Sequence, residues 1–108
     1  LNLQAMVYFS DHATVPDKRR SPNFEGLASV RIPFFTYFAD EYIAQHKEVY
    51  DTLKNHENLY WTNDLAYELL CSIFDIKSNR FDEANSLASE KFKYTREDLR
   101  TNCGQTKI

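Results

Sequence analysis

Ala5-Met6-Val7-Tyr8-Phe9-Ser10-Asp11-His12 is the stretch on which the reading of this chain turns. Residues 6–9 form a short apolar run, β-branched and aromatic, which predicts a strand buried on both faces. Polar residues end the run at Ser10, Asp11 and His12. In open α/β sheets, ligands sit just beyond the carboxyl ends of the strands. An acid and an imidazole are therefore delivered together at the edge where chemistry usually happens. Asp11 offers a hard anionic oxygen and His12 a borderline nitrogen, a pair suited to Zn²⁺ or Mn²⁺. The same two residues also serve at strand ends as a turn former followed by a solvent-facing ring. Spacing alone leaves both readings open.

Outward from the strand, residues 1–5 are too short a stretch to classify. The chain opens almost directly into the strand and does not begin with Met. A parallel central strand needs neighbours, and few other segments supply them, so a piece of a larger protein is expected. Unpaired strand edges in such a piece are expected to favour dimerisation.

After His12, Pro16, Asp17, Ser21, Pro22, Asn23 and Gly26 predict a loop over 13–29. Long loops at strand ends often carry function. Within it, Lys18-Arg19-Arg20 reads as a solvated turn unless an anionic group docks nearby, in which case the three side chains are candidate phosphate ligands.

A second apolar run follows at 30–38. Pro33 cannot donate to a ladder, which places the strand at 34–38. Asp40 is a candidate N-cap, and Tyr42, Ile43, Val49, Tyr50 and Leu53 form the stripe of a helix over 41–55. His46 and His56 are ten residues apart, which is not a ligand spacing, and both read as surface histidines. Thr62 as cap and Asp64 in the first turn open a helix over 62–76. Its stripe, Leu65, Ala66, Leu69, Leu70, Ile73, Phe74 and Ile76, should pack on a sheet face. Residues 77–108 read as an irregular tail with one short helical turn.

Composition narrows the function classes. A chain of 108 residues with 43% hydrophobic and 15% aromatic content folds as one small domain with a core. Its net charge of −3 offers no basic face for nucleic acid. Cys71 and Cys103 are too few and too far apart for a disulfide framework or a zinc knuckle. Cys71 reads as a small buried hydrophobe. No apolar run reaches transmembrane length, and no signal peptide is visible.

The order of three pieces is informative: Val7-Tyr8-Phe9-Ser10-Asp11-His12, then Val30-Arg31-Ile32-Pro33-Phe34-Phe35, then Thr62-Asn63-Asp64-Leu65 opening an apolar helix. Over roughly residues 5–88 this order resembles the C-terminal part of the sulfatase-like phosphoethanolamine transferases of the alkaline phosphatase superfamily. The resemblance implies an α/β fold, the C-terminal fragment of a three-layer sandwich with two short strands and two main helices. It implies an enzyme that moves phosphoethanolamine from a phospholipid donor to lipid A or a related envelope glycan. In that family a zinc-activated threonine nucleophile lies upstream, so no catalytic nucleophile is expected in this segment. The family's metal-ligating Asp-His pair corresponds to Asp11 and His12. The implied cofactor is a divalent metal, zinc foremost, with manganese or calcium as alternatives. The implied location is the bacterial inner membrane, with the catalytic domain in the periplasm.

The chain departs from the family's pattern twice. Ala13 stands where the family usually has Gly, and no histidine occurs between Ala13 and Val30, where the family has one. These departures motivate a second expectation, a non-catalytic sulfatase-like domain. A sulfatase or phosphoglycerol transferase is a third reading, and a free-standing small α/β binding module a fourth.

Overall fold

The computed structural model describes residues 2–13, 30–101 and 106–107. Among them the chain is mixed α/β: two pairs of antiparallel strands, three α-helices and two short 3₁₀ turns.

β1 (Ala5–Phe9) and β2 (Phe34–Phe38) pair antiparallel, with Ala5 opposite Phe38 and Phe9 opposite Phe34. Pro33 stands just before β2, where its missing N–H interrupts no ladder bond. Burial alternates along both strands. Ala5, Val7, Phe34 and Phe38 face the core. Met6, Tyr8, Phe35 and Tyr37 face outward and are exposed. This corrects the expectation of a parallel strand buried on both faces. An apolar run without polar alternation carries no mark of which face is covered.

The single helix expected over 41–55 is two helices, α1 (Asp40–Gln45) and α2 (Lys47–Asn55). They are separated at His46, whose φ of −130° and ψ of 45° lie outside the helical region. A column of rings accompanies the break: Phe38 stacks on Tyr42 at 5.0 Å, and Tyr42 on His46 at 4.4 Å. Ala39, not Asp40, is the N-cap; Asp40 lies in the first turn, where its charge favours the helix dipole. The Ala39 N–H donates to the Gln4 carbonyl at 2.9 Å, tying the start of β1 to the start of α1.

The helix expected over 62–76 is likewise shorter. A 3₁₀ turn (Asn63–Leu65) leads into α3 (Ala66–Ile73). Thr62 caps the turn through its carbonyl, which accepts the Leu65 N–H at 3.0 Å, with no side-chain cap bond. The C-terminus closes as a Schellman turn: the Ile76 N–H reaches the Cys71 carbonyl at 2.9 Å, and Asp75 adopts φ 52°. Asp tolerates that left-handed conformation better than most residues, so the helix stops short of the last apolar residue of its stripe.

Residues 77–99 are irregular apart from one 3₁₀ turn, yet part of the stretch enters the core. Asp82 accepts the Ala84 N–H at 3.0 Å and caps a 3₁₀ turn (Glu83–Asn85). The turn delivers Ser86, Leu87 and Ala88 into the interior, and Leu99 is buried further on. β3 (Arg100–Thr101) then pairs antiparallel with β4 (Thr106–Lys107).

The core joins Tyr42, Leu69, Ile73, Leu87 and Ala88, with Val7, Phe34, Phe38, Val49, Leu53, Trp61 and Phe92 packed around them. Three of its hydroxyls are paired, whereas the buried Trp61 indole N–H has no hydrogen-bond partner among the described residues. The Tyr42 hydroxyl donates to the Ile73 carbonyl at 2.6 Å. Burial first, and the Asp75 charge second, push the Tyr42 phenol up from its ordinary value. Ser72 donates to the Glu68 carbonyl at 2.9 Å and meets the Ser86 hydroxyl at 2.6 Å. Ser86 therefore donates to Ser72 and accepts the Ala88 N–H at 3.3 Å.

Candidate functional site

β1 ends at Phe9, and Ser10, Asp11 and His12 turn away from the sheet. A local network shapes that turn. The Ser10 hydroxyl donates to the His12 carbonyl at 2.6 Å, and the His12 N–H donates to Asp11 Oδ1 at 3.0 Å. Such local side-chain-to-backbone bonds hold a strand end in place without a glycine. Ala13 is accommodated directly after them.

The ring of His12 is oriented by the same turn. Its Nδ1 lies 2.9 Å from the Ala13 carbonyl, which can only accept, so Nδ1 carries the proton in the neutral ring. That leaves the Nε2 lone pair free, the arrangement in which a backbone carbonyl fixes a metal-binding imidazole. Asp11 uses Oδ1 on the backbone and keeps Oδ2, which lies 3.7 Å from His12 Nε2. Two donors holding one ion with bonds of about 2.1 Å in tetrahedral geometry stand roughly 3.4 Å apart. The pair thus fits two corners of such a site with little adjustment. Both side chains are open to solvent, at 67% and 87% exposure, so an ion pair formed between them on protonation of His12 would contribute little to stability.

Two residues brace this strand end from the far side of the chain. The Asn63 side-chain amide donates to the Asp11 carbonyl at 3.2 Å. Trp61 stacks on Phe34 at 4.4 Å and meets Phe9 edge-on at 5.6 Å, locking the last pair of the sheet. Sequence reasoning placed Asn63 in a helix start and did not single out Trp61. The available signal was a large aromatic and an amide just before an apolar helix, and it names no target.

Among the described residues, no group of three or more His, Cys, Asp and Glu side chains is placed to hold one metal ion. Asp11 and His12 are brought together; a complete ligand set is not. Lys18, Arg19 and Arg20 lie outside the described residues. Neither of the other histidines is an unengaged surface group. His46 stacks on Tyr42, and His56 donates from Nδ1 to the Leu87 carbonyl at 2.8 Å. Cys71 is a buried free thiol, and Cys103 lies outside the described residues.

A groove of about 640 Å³ opens at the other end of β1, lined by Leu3, Tyr42, His46, Ile73, Phe74 and Asp75. It shares no residue with the Asp11–His12 turn, and its one carboxylate in that set, Asp75, pairs with Lys77 at 3.0 Å. No helix among the described residues is long and apolar enough to cross a membrane. Comparison of the chain with family models, curated proteins and solved structures returned no match.

Proposed function

We propose that this chain is the C-terminal part of a metal-dependent phosphoethanolamine transferase with a sulfatase-like three-layer fold, and that it supplies two ligands, Asp11 and His12, to the catalytic metal. The observation that carries the reading is the prepared donor pair: Oδ2 and Nε2 lie 3.7 Å apart, with the opposite atom of each side chain engaged by backbone. The ordered resemblance of three sequence pieces supplies the reaction class. Zinc is the metal these donors suit best.

In this reading each residue of the turn has one task. Ser10 fixes the backbone. Asp11 presents an anionic oxygen, and His12 a neutral nitrogen in the tautomer that can ligate. Asn63 holds the Asp11 carbonyl and so sets the height of the turn above the sheet. When bound, a divalent metal lowers the pKa of the attacking hydroxyl and neutralises charge on the transferring phosphoryl oxygens. The hydroxyl nucleophile and the remaining ligands come from outside this segment. Lys18, Arg19 and Arg20 are proposed phosphate ligands, the donor is a phospholipid, and the acceptor a lipid A-type envelope glycan. Such a protein belongs in the bacterial inner membrane with its catalytic domain in the periplasm. The outer edges of β1 and β2, unpaired among the described residues, offer a route to dimers of the segment alone.

The test is metal content and headgroup transfer in the full-length protein carrying this segment, beside its Asp11→Ala, His12→Ala variant. The expected result is stoichiometric zinc in the parent, with metal and transfer both lost in the variant. A parent that holds no metal would make the pair a strand-end turn in a non-catalytic domain, the reading that Ala13 favours.

A further inference from the structure

The peptide that joins Asp11 to His12 is held at both of its polar atoms. Its N–H donates to Asp11 Oδ1 at 3.0 Å, and its carbonyl accepts from the Asn63 side chain at 3.2 Å. A backbone carbonyl can only accept, so the atom that meets it is the Asn63 amide nitrogen. The two bonds act differently. The N–H bond ties down Oδ1 and leaves Oδ2 toward His12 Nε2, 3.7 Å away. The carbonyl bond fixes the plane of the peptide, and with it the direction in which that N–H points. The other side-chain bonds of the turn stay within residues 10–13. The Asn63 bond joins positions 52 apart, and so sets that plane against the rest of the fold.

Asn63 is itself seated by its neighbours. Thr62 is extended, with φ −128° and ψ 156°, so the side chains on either side of it leave the chain on one face. On one side Trp61 stacks on Phe34 at 4.4 Å and meets Phe9 at 5.6 Å. On the other, Asn63 reaches the turn that follows Phe9. The Asn63 carbonyl accepts the Ala66 N–H and begins the 3₁₀ turn into α3. Asn63 is therefore carried by an aromatic anchor and a helix start, and not by the turn it holds. Without it, the 11–12 peptide is free to rotate about its flanking bonds, taking Oδ1 with it and opening the donor pair.

We infer that Asn63 is a positioning residue of this pair: by holding the 11–12 peptide it keeps Asp11 Oδ2 and His12 Nε2 convergent, and so raises their affinity for a divalent cation without ligating it. The inference rests on the metal role proposed above for Asp11 and His12. Removing a group one step out from a metal's ligands costs about 10–100-fold in affinity. An exposed bond that acts through the backbone belongs at the low end of that range, about tenfold.

The test is the Zn²⁺ affinity of the full-length protein carrying this segment, read by competition with a chelating indicator. Asn63→Leu keeps the size of the side chain and removes the donor, and Asn63→Ala removes both. Each should weaken Zn²⁺ binding about tenfold. Thermal unfolding of the 108-residue chain should move by no more than about 3 °C in either variant, less than the shift that 1 kcal/mol produces. Asn63→Gln, which keeps the amide on a longer stem, should recover part of the lost affinity. The Asp11→Ala, His12→Ala variant is measured beside them. Loss of metal there, with a change under about threefold in Asn63→Leu and Asn63→Ala, overturns the inference and leaves the two ligands standing. An affinity that falls in step with stability, or an equal loss in all three Asn63 variants, also overturns it, because Asn63 would then be a structural prop. A parent that binds no Zn²⁺ removes the metal role of the pair and this inference together.

Discussion

The two faces of the β1–β2 sheet are built from the same kinds of residue and end in opposite situations. On the inner face, Val7, Phe34 and Phe38 meet a helical layer in which three hydroxyls are paired: Tyr42 on Ile73, Ser72 on Glu68, Ser86 on Ser72. On the outer face, Tyr8 and Phe35 have mainly each other. The strand end resembles the outer face in this respect, since Asp11 and His12 keep one unused donor atom each. The contrast separates what the segment needs in order to fold from what it offers to other molecules. Substitutions should therefore split into two groups, costly ones on the helical side and nearly neutral ones at the strand end.

The sharpest break of this comparison is at Leu69, which is fully buried at the centre of the core. Leu69→Ala should cost about 2–5 kcal/mol, from lost transfer energy plus the cavity left behind. The urea midpoint would record it. Ser86 comes next. It is also fully buried, and Ser86→Ala strands the Ala88 N–H and takes a donor from Ser72. A loss of about 1–3 kcal/mol is expected, the usual cost of an unsatisfied buried group. A loss below the scatter of the measurement would show that water replaces the hydroxyl.

Tyr42 gives a smaller effect with a pH signature. Tyr42→Phe removes the bond to the Ile73 carbonyl and should cost about 0.5–1.5 kcal/mol near neutral pH. Burial raises the folded-state pKa of the phenol above the ordinary 10.0. The neutral form is thus favoured in the folded protein, and this contribution is fully present below pH 10. It is lost as the pH rises past 10 and through the folded value. The difference in stability between parent and variant should accordingly shrink on the alkaline side. A difference that stays constant to pH 11 would count against the burial account.

How much of this was legible in the sequence depends on the kind of signal each feature leaves. The limits of the two strands were legible, because Ser10-Asp11-His12 ends one run and Pro33 precedes the other. Their covered faces were not: an unbroken apolar run looks the same whether one face or both are buried. The break between α1 and α2 at His46 has no glycine or proline to announce it. The early end of α3 rests on Asp75 in a conformation usually marked by glycine. Ser86, Leu87 and Ala88 join the core from a stretch too short to show periodicity. At the site, the adjacency of Asp11 and His12 was plain. The brace from Trp61 and Asn63, fifty residues away, is a tertiary fact that local pattern cannot contain.

The smallest expected effect sharpens the comparison most. Asp11→Ala with His12→Ala removes two side chains that are both open to solvent. The turn keeps its Ser10 bond to the residue 12 carbonyl and its Asn63 bond to the residue 11 carbonyl, since both acceptors are backbone atoms. What is lost is the cap of one exposed N–H by Asp11 Oδ1 and the exposed His12 Nδ1 bond to the Ala13 carbonyl. The change in unfolding free energy should lie within about 0.5 kcal/mol, as for surface positions outside special features. Thermal unfolding of the segment measures this directly and separately from metal content in the full-length protein. A near-neutral result paired with loss of metal there would show that the two residues are held for chemistry and not for folding. A loss of more than about 1 kcal/mol, the size of a missing cap, would show instead that the turn is a structural closure of the strand, and the contrast between the two regions would fail at that point.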